Sequence, residues 1–161
     1  MYGVGERPFE LVRGKLVSAR IEVLAQLAKF SREEQALRPA RGKWTPLQVA
    51  NHLYICDGLI LTQMRRVQSE ENPLLPAIEE DSSTFYEPPD IPLTPEVVLN
   101  GMAARREELY HYLSTLPAEV WRRPFRHPEW GQCAFYQLID FLIDHDQLHA
   151  HQLVAMKAAR Q

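Results

Sequence analysis

Cysteine is nearly absent from this chain: Cys56 and Cys133 are the only two, and they form no CxxC pair. A disulfide framework is excluded, and a reducing, cytoplasmic setting is expected. A basic excess is missing too. With 18 Lys and Arg against 21 Asp and Glu, the formal net charge is −3. Nucleic acid is not expected as a partner, because phosphate recognition needs clustered cations. The basic pairs Arg65-Arg66, Arg105-Arg106 and Arg122-Arg123 read as solvated helix ends and loops. No apolar run approaches the ~18 residues of a membrane span, and the amino-terminal MYGVGERPFELVRGK has no apolar leader segment. Neither membrane insertion nor export is expected. Strand-like alternation and internal repeats are also lacking.

What is present is helical periodicity. At 161 residues and 45% hydrophobic content, the chain fits one domain over 1–161 with a substantial core. Four helical patterns emerge. The first runs over 9–30, with Leu11, Val12, Leu16, Ala19, Val23, Leu24 and Leu27 at helical spacing. After a charged link over 31–43, the second opens at Thr45-Pro46-Leu47-Gln48, a TxxQ capping box with proline at the first helical position, and continues to about Ser69. The third begins at Thr94-Pro95-Glu96 and runs to about Leu116; a turn carrying Trp121 and a loop lead to the fourth, over 132–159. The fold class is therefore all-α, a four-helix bundle with a long crossover between helices 2 and 3. That crossover, Glu71 to Pro92, holds five prolines and is read either as a lid or as a plain linker.

Three of the six histidines fall within seven residues of the fourth helix. Phe135, Leu138, Leu142, His145, His149, Gln152 and Met156 form one stripe at steps of three and four, so two imidazoles stand where a bundle core favours leucine. His151 lies about 120° away from His145 and joins a polar face with Asp140, Asp144 and Gln147. His145 and His149, at i and i+4, can share a metal ion, although a hydrogen-bonded buried pair has the same spacing. His52 points toward the core edge of the second helix and offers a third imidazole.

The order WTPLQVANHL, Trp44 to Leu53, then His127-Pro128-Glu129-Trp130-Gly131, then HxxxHxxQL, His145 to Leu153, resembles the DinB/YfiT-like family of four-helix-bundle metalloenzymes. The resemblance covers nearly the whole chain. It implies a divalent metal, zinc or nickel foremost with manganese or iron as alternatives, held by the positions matching His52, His145 and His149. It also implies open coordination positions, a small-molecule substrate, a homodimer and, in some members, a low-molecular-weight thiol used for S-transfer. Metal-assisted hydrolysis and a non-catalytic, metal-stabilised bundle are the other readings. Leu148 stands where some relatives carry an additional histidine.

Around that triad, Asp146 is expected to orient His149, Gln152 to line the cavity, and Asp57 to be solvated or interhelical. Trp44 and Trp130 are packing anchors or aromatic walls of a substrate cavity. His127 is the acid/base candidate, in a loop able to cap the bundle mouth. Cys56 reads as a buried small hydrophobe, with a fourth ligand as the sharper alternative. Cys133 is placed at a helix amino terminus that could lower its pKa. His111 is expected to be an exposed or interface residue.

Overall fold

In a computed structural model that describes residues 8–39, 41–78 and 93–160, helix α1, Pro8–Leu27, is followed by a single turn, α2, Arg32–Gln35. Two long helices come next, α3, Pro46–Ser69, and α4, Pro95–Thr115. A 3-10 turn, Ala118–Arg122, leads into strands β1, Pro124–His127, and β2, Gly131–Ala134, and then into α5, Tyr136–Ala158. The four long helices form the bundle.

Local chemistry sets where the helices start. The Thr45 hydroxyl accepts from the Gln48 amide at 3.0 Å, and the Gln48 side chain accepts from the Thr45 amide at 2.9 Å, so two first-turn donors of α3 are satisfied. Thr94 caps α4 by accepting from the Val97 amide at 3.2 Å. The charged link after α1 contains a short helix, α2, because Ser31 and Glu34 make a complete capping box.

The strands correct the expectation of a purely helical chain. β1 and β2 pair antiparallel, Pro124 opposite Ala134 and His127 opposite Gly131, and Gly131 takes a φ of 75° that closes the turn. Four-residue strands are too short to show an alternation that stands out in sequence. Because 131–134 is strand, the last helix begins at Tyr136, four residues later than expected. The start of the crossover joins this hairpin: the Leu75 amide donates to Arg126 O at 2.9 Å, and the Arg126 amide donates to Pro73 O at 2.7 Å. Residues 79–92, and with them most of the segment read as a lid, lie outside the described residues.

Packing divides the bundle interior into layers. One apolar cluster gathers Leu16, Ile60, Leu109, Trp121, Phe125 and Leu142, and a second gathers Val23, Leu53, Met102, Ala150 and Leu153. Between them each long helix contributes a buried charge: Arg20, Asp57, Arg106 and Asp146. The order of layers along each helix gives its direction. α1 and α5 run from the first cluster to the second, whereas α3 and α4 run from the second to the first. Two consecutive long helices that run parallel need a long return, which is why the crossover over 71–92 cannot be a tight turn. Gly101 permits the close α3–α4 approach, since a Cβ there would stand 3.1 Å from the Tyr54 ring. Leu11 and Leu24, expected on the buried stripe of α1, are exposed, and with Ile21 they leave an apolar face on α1. Between α1 and α4 that face borders a groove of about 300 Å³ lined by Ile21, Leu24, Leu99 and Met102. Among the described residues no helix is long and apolar enough to cross a membrane.

Candidate metal centre

The antiparallel pair α3 and α5 brings the three predicted histidines together. His52 Nε2 lies 3.1 Å from His145 Nε2, and His149 Nε2 lies 3.0 Å from the same atom. All three rings are buried, and His52, expected at the core edge, is fully enclosed. The three rings meet edge-on, with centroids 4.5 to 5.0 Å apart. Cys56, one turn beyond His52, places Sγ 3.8 Å from His52 Nδ1 and 3.7 Å from Nε2. Donor atoms of His52, Cys56 and His145 all lie within 4.8 Å of one another, and His149 adjoins this group through His145.

These residues fit a divalent ion. His149 Nδ1 is 2.7 Å from Gln152 Oε1, an oxygen that can only accept, so Nδ1 carries the proton and Nε2 presents its lone pair. Toward the centre, His145 Nε2 lies within 3.1 Å of both His52 Nε2 and His149 Nε2. A shared cation would take a lone pair from all three nitrogens. In a tetrahedral site with ~2.0 Å Zn–N bonds the nitrogens would stand about 3.3 Å apart, close to the two spacings observed. Gln152, expected to line the cavity, contacts His149 and so orients a candidate ligand.

Directly beside this cluster lies the charged layer. Asp57 accepts from Arg106 Nε at 2.9 Å and Nη2 at 3.0 Å, and from Arg20 Nη2 at 3.3 Å. Asp146 accepts from Arg20 Nη2 at 2.9 Å and Nε at 3.1 Å, and from Arg106 Nη2 at 3.1 Å. Two cations and two anions cancel. Burial alone would push the Asp57 carboxyl up, but Arg106 and then Arg20 pull it below its ordinary value. Burial likewise opposes the Arg106 charge, and Asp57 followed by Asp146 outweighs it, so the Arg106 pKa rises.

The charged layer corrects two expectations and decides a third. Arg106 is not a solvated helix-end residue, because its guanidinium is the hub of this layer. Asp146 faces Arg20 and Arg106, so the hydrogen bond on the outer nitrogen of His149 goes to Gln152 instead. Of the two readings for Asp57, the interhelical one holds. Arg123 also departs from a purely solvated role, donating to Val67 O at 2.7 Å and Glu70 O at 2.8 Å at the end of α3.

The remaining candidates spread outward from the triad. Trp44 is half-buried, its ring 5.0 Å from that of His52. Phe141 stacks on His145 at 4.9 Å, Trp130 tilts against Phe141 at 5.7 Å, and His127 stacks on Trp130 at 3.8 Å. His127 therefore sits two aromatic rings away from His145, at the end of β1. Its Nδ1 accepts from the Glu129 and Trp130 amides at 3.1 and 3.2 Å, and burial lowers its pKa. With Gln63, Glu129, Trp130 and Phe141 it lines a cavity of about 220 Å³. Cys133 is in β2, not at a helix terminus, and burial pushes its thiol up instead of down. His111 and His151 are exposed, as expected. Sequence reasoning missed Phe141 as a wall of the histidine cluster, although its place one turn before His145 was a usable signal.

Fold and site define an all-α bundle with a buried imidazole cluster between two antiparallel helices. The sequence pattern of the DinB superfamily matches residues 15–153, and the chain belongs to that superfamily. The uncharacterized protein YuaE of Bacillus subtilis (strain 168) is 25% identical over 150 residues, covering 86% of this chain and 93% of YuaE. Among solved structures, YfiT from Bacillus subtilis, described as a probable metal-dependent hydrolase with an unusual four-helix bundle topology, superposes with a TM-score of 0.69 at 18% identity, over 98% of this chain and 92% of YfiT. The four-helix bundle protein TT2238 superposes with a TM-score of 0.66 at 20% identity, over 91% of this chain and 98% of TT2238. At these identities the two structures bear on the fold alone.

Proposed function

We propose that this chain is a divalent-metal-dependent enzyme whose ion is held by His52, His145 and His149 and whose reaction is metal-assisted hydrolysis. The observation that carries the reading is the convergence of three buried Nε2 atoms, with His52 Nε2 and His149 Nε2 at 3.1 and 3.0 Å from His145 Nε2. The description of YfiT as a probable metal-dependent hydrolase supports the reaction class. A bound ion supplies Lewis acidity toward a substrate oxygen and lowers the pKa of water. The protein's share is placement: three imidazoles fix the ion, Gln152 sets the His149 tautomer, and Trp44 and Phe141 give the site apolar walls. Zinc and nickel suit imidazole donors better than magnesium or calcium.

The purified chain should bind close to one divalent ion, as counted by elemental analysis after metal re-addition, and the metal-loaded protein should hydrolyse ester or amide test substrates. Absence of stoichiometric binding would overturn the reading. Thiol S-transfer is the second reading, favoured by the aromatic surroundings of the site, which suit an electrophile with an apolar body. Conjugation of such an electrophile to an added thiol, without hydrolysis, would put it first. The same proposal includes a homodimer through the apolar face of α1 and the groove beside α4. Sedimentation should give twice the chain mass, and a mass of 18.6 kDa across micromolar concentrations would exclude it.

A further inference from the structure

Cys56 is a buried sulfur in a cluster otherwise made of imidazoles, and its position is not that of a residue filling apolar space. Its Sγ lies 3.7 Å from His52 Nε2 and 3.8 Å from Nδ1. The i, i+4 step on α3 from His52 to Cys56 repeats the step on α5 from His145 to His149. Each helix therefore projects two donors into one layer.

The geometry points to Cys56 as a fourth donor of this centre, making it a mixed three-histidine, one-thiolate site. This rests on the metal reading given above. With metal–nitrogen bonds of ~2.0 Å and a metal–sulfur bond of ~2.3 Å, a tetrahedral N···S edge is about 3.5 Å, and the observed 3.7 Å from Sγ to His52 Nε2 is close to it. Donor atoms of His52, Cys56 and His145 all lie within 4.8 Å of one another, and coordination takes a change of the Cys56 rotamer that carries Sγ away from Nδ1, because a sulfur sharing an ion with Nε2 stands farther from the other ring nitrogen. On binding, the Cys56 sulfur gives up its proton to solvent and coordinates as thiolate.

The chemical consequence is a softer and less positive site. One thiolate reduces the net charge of the centre from two to one and biases selection toward zinc or cobalt and away from magnesium, calcium and manganese. Cys56 also occupies the fourth position of a tetrahedron. An incoming oxygen ligand must then join as a fifth donor or displace the sulfur, so the Cys56 side chain becomes the gate to the chemistry.

Cobalt substitution in thiol-free buffer tests this without reference to turnover. The wild-type cobalt protein should show visible d–d bands together with a sulfur-to-cobalt charge-transfer band in the near ultraviolet. Cys56→Ser and Cys56→Ala should lose the charge-transfer band while keeping d–d bands, and Cys133→Ser should keep both. Retention of d–d bands also reports that each variant still assembles the histidine centre. A wild-type spectrum with d–d bands but no sulfur band would overturn the role of Cys56 and leave the three-histidine reading standing. Failure to bind cobalt at all would overturn both.

Discussion

Replacing Arg106 with alanine should lower the unfolding free energy by about 3–5 kcal/mol, the range for removing one member of a buried ionic cluster. For a domain of this size that is about 6–20 °C in Tm, and thermal or denaturant unfolding measures it directly. The size of the effect follows from what is left behind. Asp57 loses two hydrogen bonds, from Nε and Nη2, and Asp146 loses one, while both carboxylates stay between two apolar clusters with only Arg20 to balance them. An exposed pair such as Arg66 and Glu70 is worth far less, because water screens it. A double replacement, Arg106→Met with Asp57→Leu, should cost clearly less than the sum of the two single changes, since it removes the stranded charge together with its partner. Additivity of the two would show that the layer is not energetically coupled.

The same cluster gives a pH dependence. The Asp57 carboxyl is held below its ordinary value in the fold. Its contribution to stability is therefore complete above the unfolded-state carboxyl pKa and is lost as pH falls through the lower, folded-state value. Removing Arg106 takes away the larger of the two attractions that hold it down, so the acid limb of the stability curve should move to higher pH in the alanine variant.

Features that were legible in the sequence are those set by local chemistry. Thr45-Pro46 with Gln48, and Thr94-Pro95, carry their helix starts in a few adjacent residues, and both starts stand where those residues put them. His145 and His149 were legible because a 3.6-residue period assigns a face without reference to any other helix. The charged layer was not legible, because its four members come from four helices and each alone resembles a solvated charge. One signal existed. Arg20 continues the series Leu16, Arg20, Val23, Leu27, and Arg106 continues Met102, Arg106, Leu109, Leu113, so each arginine occupies a core position of its own helix. The hairpin was hidden for a different reason: four-residue strands gain their identity from pairing with each other and with 73–75, a tertiary contact that no local pattern encodes.

Metal should raise the stability of the wild-type chain, and His145→Ala should remove most of that rise. At free metal a thousandfold above Kd, binding to the folded state alone adds about 4 kcal/mol, or about 8–16 °C in Tm for a chain of this length. His145 is the position to change because its Nε2 is the atom that both His52 and His149 approach, at 3.1 and 3.0 Å. Without it the centre loses the nitrogen that both other imidazoles approach, and the donors left on α3 and α5, His52, His149 and the proposed Cys56, have no common neighbour to close the set. The variant also loses the Phe141 stack and leaves a cavity beside His52 and His149, so its apo form should melt lower than wild-type apo protein. That loss is present with and without metal, and the increment on adding metal separates ligation from packing. His151→Ala, on the exposed face of the same helix, should retain the full increment. A His145→Ala protein that gains as much as wild type on zinc addition would move the ion away from this cluster, and an equal loss in the His151 variant would turn the effect into one of helix α5 as a whole.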